Sequence, residues 1–507
     1  MTVSMSYNIN LSDLDREGPR PVTQQLVERF AALIDAGELP PGTKLPTTRA
    51  LAEQAGVNPL TAARVYRRLG ELGYTTATVG RGTFVRTRPP VTGATAVDAD
   101  DDTWQLAALP HRAPTYAEQM LQESFRSPDS TDVVVLSAGW PDPASYPRET
   151  VDRAMRRIAD EQLDDALDYQ SVEGVPALRE AIATMGTRHG FARDGSEIIV
   201  TSGARQAIDL VSRALLEPGD VAVVESPSFV GTISSMEGAG ARLLPMPVDE
   251  HGADVSAVER ILARHEVKLV FLQSSAQNPT GTELSAERRE RLLALARERS
   301  FFVVDDGVYA GLRFDGPRLP SLRADAPAHV IHVDSLSKTV AGGVRIGWIA
   351  AQGPVLARLA QLKMNSDLHT PALTQLIAAD LLRGEGYEEH VRHSAELYRV
   401  RRDAMIEALE RHLGDAATWI VPRGGHNLWL TFDRPVDERL LYAEALREGV
   451  TFLPGGAAQP EPTGRTSVRL SFSIVAPERF DEGARRLARA LRAVHRRDRL
   501  AATGMVS

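Results

Sequence analysis

From residue 131 onward, brief apolar runs alternate with segments of helical periodicity, and this alternation is the strongest constraint on the fold. The runs fall at residues 197–201, 221–225, 267–273, 301–305 and 330–334. Each ends in polar or Gly-rich residues and gives way to a helical pattern. Strands buried on both faces read as continuous apolar runs, and parallel neighbours need a crossover helix between them. The pattern predicts a doubly wound α/β domain with a mainly parallel sheet. Beyond about residue 385 helix and strand mix again, which predicts a smaller C-terminal α+β lobe.

The first 90 residues follow a different logic. Val22, Leu26, Phe30, Leu33 and Ile34 recur at helical spacing, so a first amphipathic helix is expected. Pro40-Pro41-Gly42 marks a turn, and Thr47/Thr48 cap a second helix with Leu51, Ala52 and Ala55 inward. Gly56 ends it. Asn58 is a good N-cap and Pro59 suits the first position of a third helix. The runs TTATV and FVRT around Gly80-Arg81-Gly82 read as a two-stranded wing. Residues 15–88 are thus expected to form one small domain and 131–495 another. Between them, 89–130 carries TRPPVTGATA-type sequence and Asp98, Asp100, Asp101 and Asp102, the composition of a linker.

At 507 residues the chain is long enough for two or three cores. Its net charge of −9 hides an asymmetry. Residues 45–88 hold seven Arg against two Glu, a net +5, which leaves −14 for the rest. A basic head on an acidic body points to a polyanion as the partner of the head. There are no cysteines, which removes disulfides, thiolate metal sites and cysteine nucleophiles. No metal site is expected. The opening MTVSMSYNINLSDLDREG has no apolar run and no segment approaches a membrane span. A cytoplasmic protein with no membrane partner is expected.

In open α/β sheets ligands gather at the C-terminal ends of strands, and four groups of residues fall at such ends. Gly203-Ala204-Arg205 opens a helix after EIIVTS, a natural phosphate site or simply a helix cap. Asn278-Pro279-Thr280-Gly281 follows VKLVFLQ, where the asparagine suits a phenolic oxygen, although an ordinary Asn-Pro turn reads the same way. Asp305-Asp306-Gly307-Val308-Tyr309 follows FFVV. A carboxylate beneath a pyridine ring keeps its nitrogen protonated and makes the ring an electron sink. Finally, residues 335–347, SLSKTVAGGVRIG, place Lys338 among Ser335, Ser337 and Thr339 with Arg345 seven residues on. A lysine amine forms a Schiff base, and hydroxyls with an arginine hold a phosphate, so this set suits pyridoxal 5'-phosphate.

In this order the motifs resemble those of class I aminotransferases of pyridoxal-phosphate fold type I, over residues 131–495. The resemblance implies Lys338 as the Schiff-base lysine and Asp306 on the ring nitrogen, with Tyr309 completing the catalytic set. Asn278 and Tyr309 would meet the phenolic oxygen. Gly203, Ala204, Arg205, Ser335, Ser337 and Arg345 would surround the phosphate, and Phe229 would stack on the ring. It further implies Tyr169 reaching the phosphate of a partner subunit, hence a homodimer. Arg469 would pair with a substrate carboxylate and Gly139 would line the substrate pocket. There are departures: Arg205 stands where a glutamine is common, and Gly342-Gly343 replaces Ala-Pro-Gly. Asp-Asp-Gly-Val-Tyr replaces an acidic-acidic-x-Pro-Tyr run, so choosing Asp306 over Asp305 rests on the spacing to Tyr309.

Residues 20–86 resemble the winged helix-turn-helix of the GntR family, through Pro41-Gly42-x-x-Leu45-Pro46-Thr47-Thr48-Arg49, Leu51-Ala52-x-x-x-Gly56-Val57 and Gly80-x-Gly82-Thr83-Phe84-Val85. By position, Arg49 would grip DNA phosphate, Asn58, Leu60, Thr61 and Arg64 would face the groove, and Arg81 and Gly82 would form the wing tip. The Pro59-Leu60 pair departs from the Arg-Asn or Arg-Thr common there. Head plus body resembles the MocR (GabR-like) regulators. That implies a transcriptional regulator, dimerising head-to-tail, that binds double-stranded DNA near its own or an adjacent gene. Its body would sense pyridoxal phosphate, or an amine or amino acid, through aldimine chemistry. Two alternatives stand beside it: a working aminotransferase with an accessory head, and a sensor of the cofactor itself that controls vitamin B6 supply.

Overall fold

The computed structural model describes residues 21–35, 38–40, 42–71, 74–78, 82–85, isolated positions between 116 and 122, 132–384 and 386–502. The chain divides into two compact units, Met1–Ala113 and Pro114–Ser507. Arg81 and most of the expected linker lie outside the described residues.

The first unit is a three-helix domain with a hairpin. Helices α1 (Val22–Asp35) and α2 (Thr48–Ala55) both pack on α3 (Pro59–Glu71). Their apolar stripes close over Leu26, Phe30, Leu51, Val65 and Leu69, all with no exposed surface. Tyr66 packs edge-on against Phe30 and donates its hydroxyl to the Pro46 carbonyl at 2.7 Å. The boundaries follow local chemistry. Thr47 accepts from Ala50 N at the start of α2, Gly56 ends it at φ 60°, and Asn58 Oδ1 accepts from Leu60 N at 2.8 Å. The hairpin is β1 (Thr75–Thr78) and β2 (Gly82–Val85), paired antiparallel. Val85 sits in the same core.

In the second unit a short strand, β3 (Val134–Val135), precedes an eight-stranded sheet. The sheet comprises β4 (Ile198–Thr201), β5 (Val221–Ser226), β6 (Arg242–Asp249), β7 (Gly252–Ala253), β8 (Val267–Leu272), β9 (Phe302–Asp306), β10 (Val330–Ser335) and β11 (Gly347–Ala350). Its order is β4-β11-β10-β9-β8-β5-β6-β7. The pairs within β10-β9-β8-β5-β6 are parallel, while β11 runs antiparallel to both neighbours and β7 to β6. Separate apolar clusters cover the two faces, which is why β8, β9 and β10 are buried almost throughout.

The smaller lobe is a four-stranded sheet of β12 (Ala417–Trp419), β13 (Asn427–Phe432), β15 (Leu453–Pro454) and β16 (Ser467–Ser471), with β14 (Val450–Thr451) beside it. Its boundary differs from the sequence expectation. β3 pairs in parallel with β14, so residues 134–135 belong to the lobe that otherwise begins near residue 386. The apolar Val134 and Leu136 have their partners there, in the cluster with Val450, Phe452 and Leu470. This places the segment after β3 across the C-terminal ends of the large sheet.

Candidate functional site: a lysine cavity at the strand ends

The C-terminal ends of β4, β8, β9 and β10, together with β16 and residues 137–141, enclose a cavity of about 580 Å³, within the range of small-molecule sites. Its lining brings together most of the residues singled out in the sequence: Gly139, Ala204, Arg205, Phe229, Asn278, Asp306, Tyr309, Ser335, Ser337, Lys338, Arg345 and Arg469.

Lys338 follows β10. Its Nζ donates to the Gly139 carbonyl at 2.8 Å and stands 5.8 Å from the centre of the Tyr309 ring. Burial, with the charges of Arg469 and Arg345, brings its ammonium down to about 8. Desolvation penalises the charged form, and two guanidiniums repel it.

Asp306, the last residue of β9, is buried at the cavity floor. Its carboxylate accepts from Gln273 Nε2 at 2.9 Å and from Val308 N at 3.2 Å. Burial, with the Asp334 and Asp305 charges, pushes it up to about 7. Asp305 points into different surroundings, accepting from the Ser274 and Ser321 hydroxyls and from Leu322 N. Burial opposes its ionisation, but His332 and the two hydroxyls outweigh burial and hold its carboxyl well below the usual range. Only Asp306 of the pair lines the cavity.

The mouth of the cavity is cationic. Arg345, in the left-handed region at φ 53°, donates to the Ser202 carbonyl at 2.6 Å and lies 3.4 Å from the Ser337 hydroxyl. A side chain at Gly203 would put a Cβ 2.6 Å from its guanidinium, so Gly203 shapes the site from behind without lining it. Ala204 starts the helix Ala204–Leu215, whose N-terminal dipole faces the same region. Ser335 donates to the Ile346 carbonyl at 2.7 Å and accepts from Ser337 N. Arg205 reaches the Gly231 carbonyl and the Ser234 hydroxyl, its side chain carried across by the bare Gly231 backbone. The Phe229 ring packs over Gly231 as well.

On the far wall Arg469, in β16, is buried and donates to the Ser137 carbonyl at 2.6 Å, while its Nε has no partner. Asn427 donates to Asn278 Oδ1 at 3.2 Å, and its own Oδ1 is unpartnered.

Tyr169 lies outside this arrangement. It is 79% exposed and packs edge-on against His369. Sequence reasoning missed Gln273, Asn427, Trp140 and Tyr146, which also contact or line the cavity. Gln273 closes the run at 267–273, and that place at a strand end was the available signal. On the head, Arg49, Asn58, Leu60 and Arg64 are exposed and Thr61 is half-buried.

The two units define a class: a winged helix-turn-helix head joined to an aminotransferase-like body. Residues 131–487 match the family described as aminotransferase class I and II, and residues 22–85 match bacterial regulatory proteins, gntR family. The chain is 31% identical over 480 residues to the HTH-type transcriptional regulator YisV of Bacillus subtilis, covering 94% of this chain and 97% of that protein. Against MocR of Rhizobium meliloti, by name a rhizopine catabolism regulatory protein, it is 29% identical over 485 residues, or 95% and 96% of the two chains. Among solved structures, the α-aminoadipate aminotransferase LysN of Thermus thermophilus, complexed with N-(5'-phosphopyridoxyl)-L-leucine, superposes with a TM-score of 0.69. It is 34% identical, covering 74% of this chain and 95% of that one. The chain belongs to the MocR-like regulators, in which a gntR-type head is fused to a class I and II aminotransferase domain. Among the described residues no helix is long and apolar enough to cross a membrane.

Proposed function

We propose that this protein binds pyridoxal 5'-phosphate at Lys338 and regulates transcription according to the amine or amino acid that reaches that site. One observation carries the reading: Lys338, Asp306, Asn278, Tyr309, Arg345 and Arg469 face a single cavity of fitting size. The donor set matches the cofactor's chemistry. Asp306 is a buried carboxylate with no cation within hydrogen-bonding distance among the described residues, which suits a protonated ring nitrogen. When bound, the cofactor supplies an electrophilic carbon for amines and a ring that draws off electron density.

The chain's own residues do the rest. Lys338, near 8 when buried, is neutral in about a tenth of molecules at about pH 7, far more than an ordinary lysine, and that fraction has a free lone pair. Ser335, Ser337, Arg345, Arg205 and the helix N-terminus at Ala204 hold the phosphate, with Gly203 giving room for the arginine. Asn278 and Tyr309 hold the phenolic oxygen, and Phe229 stacks on the ring. Arg469 takes the ligand carboxylate in bidentate fashion, beside Gly139. Tyr169, exposed in one subunit, serves the phosphate site of a second, in a head-to-tail homodimer.

The basic head binds double-stranded DNA through Arg49, Asn58, Leu60, Thr61 and Arg64, with Arg81 and Gly82 at the wing. A cytoplasmic protein follows from that partner. Ligand binding alters DNA occupancy only if the ligand prefers one of two conformations. The test is DNA binding to the gene's own upstream region, with ligand-free and cofactor-loaded protein at fixed salt and the visible spectrum recorded in the same samples. A Lys338-dependent visible band with cofactor-sensitive binding is expected. An unchanged band in Lys338→Ala would overturn the lysine assignment. The intact lysine, aspartate and tyrosine set favours a second reading, a working transaminase. Multiple turnovers with a keto acid and no specific DNA binding would establish it. A response to cofactor with no amine would instead point to control of vitamin B6 supply.

A further inference from the structure

Behind Asp306 lies a charged cluster that the cavity does not expose. His332, in β10, is buried, and its ring stacks on Phe191 at 4.6 Å with an interplanar angle of 12°. Its Nδ1 is 3.1 Å from the Ser321 hydroxyl and 3.6 Å from Asp305 Oδ2, and its Nε2 is 3.6 Å from Asp334 Oδ2. Ser321 donates its proton to Asp305 Oδ2 at 2.7 Å, so toward His332 it can only accept, and Nδ1 carries a hydrogen. On the other side Nε2 meets no donor, only the Asp334 carboxylate. A bare lone pair facing a carboxylate in a dry site is repulsive. Burial opposes a charge on the ring, but the two carboxylates favour the form with both ring nitrogens protonated.

Charge counting gives this cation a task. Asp305, Asp306 and Asp334 are three neighbouring carboxylates, and Arg318, donating to Asp334 at 2.8 Å, is one counter-charge. With His332 cationic the group carries one net negative charge, which one protonated ring nitrogen at Asp306 completes. With His332 neutral it would carry two, and Asp306 would take up a proton instead. The other ionisable groups around the cluster include Lys338 and Tyr309, which face Asp306 from the cavity, Glu225 on β5, Tyr387 and Glu388 at the start of the helix Gly386–Leu413, and Arg323, which pairs with Glu197.

Gly307 belongs to the same device. A Cβ there would lie 2.5 Å from His332 Cε1, so a side chain at this position is incompatible with the imidazole where it stands.

Resting on the cofactor reading above, we propose that His332 is a positioning residue, held as a cation between Asp305 and Asp334, whose charge keeps Asp306 ionised for the cofactor's ring nitrogen. The experiment titrates ligand-free full-length protein with pyridoxal 5'-phosphate by visible absorbance, from about pH 6 to 9. It compares wild type, His332→Gln, Asp334→Asn and the double variant, with calorimetry on each. His332→Gln is expected to weaken binding roughly tenfold at about pH 6 and about twofold at about pH 8, the equivalent of a rise of one pH unit at Asp306. It should also move the pH midpoint of binding upward. The double variant restores the charge count and should recover most of that loss. Wild-type binding by His332→Gln, or a well-folded double variant no better than the single one, would overturn the proposal. If His332→Gln does not fold, Asp334→Asn and the double variant still differ by the His332 charge, and equal affinity and midpoint in those two would sink the idea. Failure of wild type to take up cofactor in a Lys338-dependent way would instead refute the cofactor reading and leave His332 with no ring to serve.

Discussion

Replacing Asp306 by Asn should trade ligand binding for stability, and the trade can be worked from the site. Asp306 is 2% exposed, and its carboxyl is pushed by burial, with help from Asp334 and Asp305, from 3.8 to about 7. Between about pH 4 and pH 7 the folded, ligand-free protein holds a proton here that the unfolded chain has released. Stability therefore falls as pH rises through that window, and the penalty is complete above about 7. A rise of this size corresponds to about 4 kcal/mol at 1.36 kcal/mol per pH unit, an upper bound. Asn is isosteric and neutral at every pH, but it loses the acceptor for Gln273 Nε2, which costs about 1 kcal/mol. Asp306→Asn should then be more stable than wild type by about 2 to 3 kcal/mol at pH 8, and by less than about 1 kcal/mol at pH 5, where most of the penalty is gone. Calorimetry of the ligand-free full chain at the two pH values reads this directly. The same variant should bind pyridoxal phosphate more weakly, because a neutral amide leaves the ring nitrogen without its counter-charge. A variant no more stable than wild type at pH 8 would refute the buried, electrostatically incomplete carboxyl.

Three further outcomes follow from other parts of the chain. Arg469→Met should weaken an amino-acid ligand by about 2 kcal/mol, roughly 30-fold, while leaving the corresponding decarboxylated amine nearly unchanged. Spectral titration of cofactor-loaded protein with the two ligands separates the cases. On the head, Arg64→Ala should lower the slope of log affinity against log salt by about 1, measured by fluorescence anisotropy on operator DNA. Phe30→Ala, at a position with no exposed surface, should cost about 3 to 5 kcal/mol. It should abolish DNA binding while cofactor uptake by the body persists.

Much of this arrangement is legible in the sequence because it is local. The runs that form β5, β8, β9 and β10 are visible as mainly apolar segments, and their polar ends mark the cavity rim. Thr47, Gly56 and Asn58 announce helix boundaries through chemistry confined to a few residues. What escapes depends on distance along the chain. Val134 pairs with Val450, and no pattern within a short window encodes a partner some three hundred residues away. Asn427 reaches Asn278 only because β13 and the turn after β8 meet in space. His332 is hidden for another reason. It interrupts an apolar strand, where a histidine reads as an ordinary buried residue until its two carboxylate neighbours and the serine hydroxyl are known.

The charges around the cavity become intelligible once the site is seen as polarised. Its mouth is cationic, with Arg205, Arg345 and Lys338, and its floor is acidic, with Asp306 backed by Asp305 and Asp334. Arg205, standing where a glutamine is common in the family, adds charge to the mouth. Gly307, bare of a side chain, makes room for the histidine that offsets the floor. Neither end is electrostatically satisfied alone, since Lys338 and Asp306 are both displaced toward their neutral forms. A ligand that is polyanionic at one end and cationic at the other satisfies both ends together. The free energy released by doing so is differential if a second conformation separates mouth from floor, because such a conformation could not collect it. A regulator needs only about 1 to 3 kcal/mol of such difference to change the occupancy of a second site several-fold or more. The polarity of this cavity can supply that difference, whether or not the chemistry on the cofactor runs to completion.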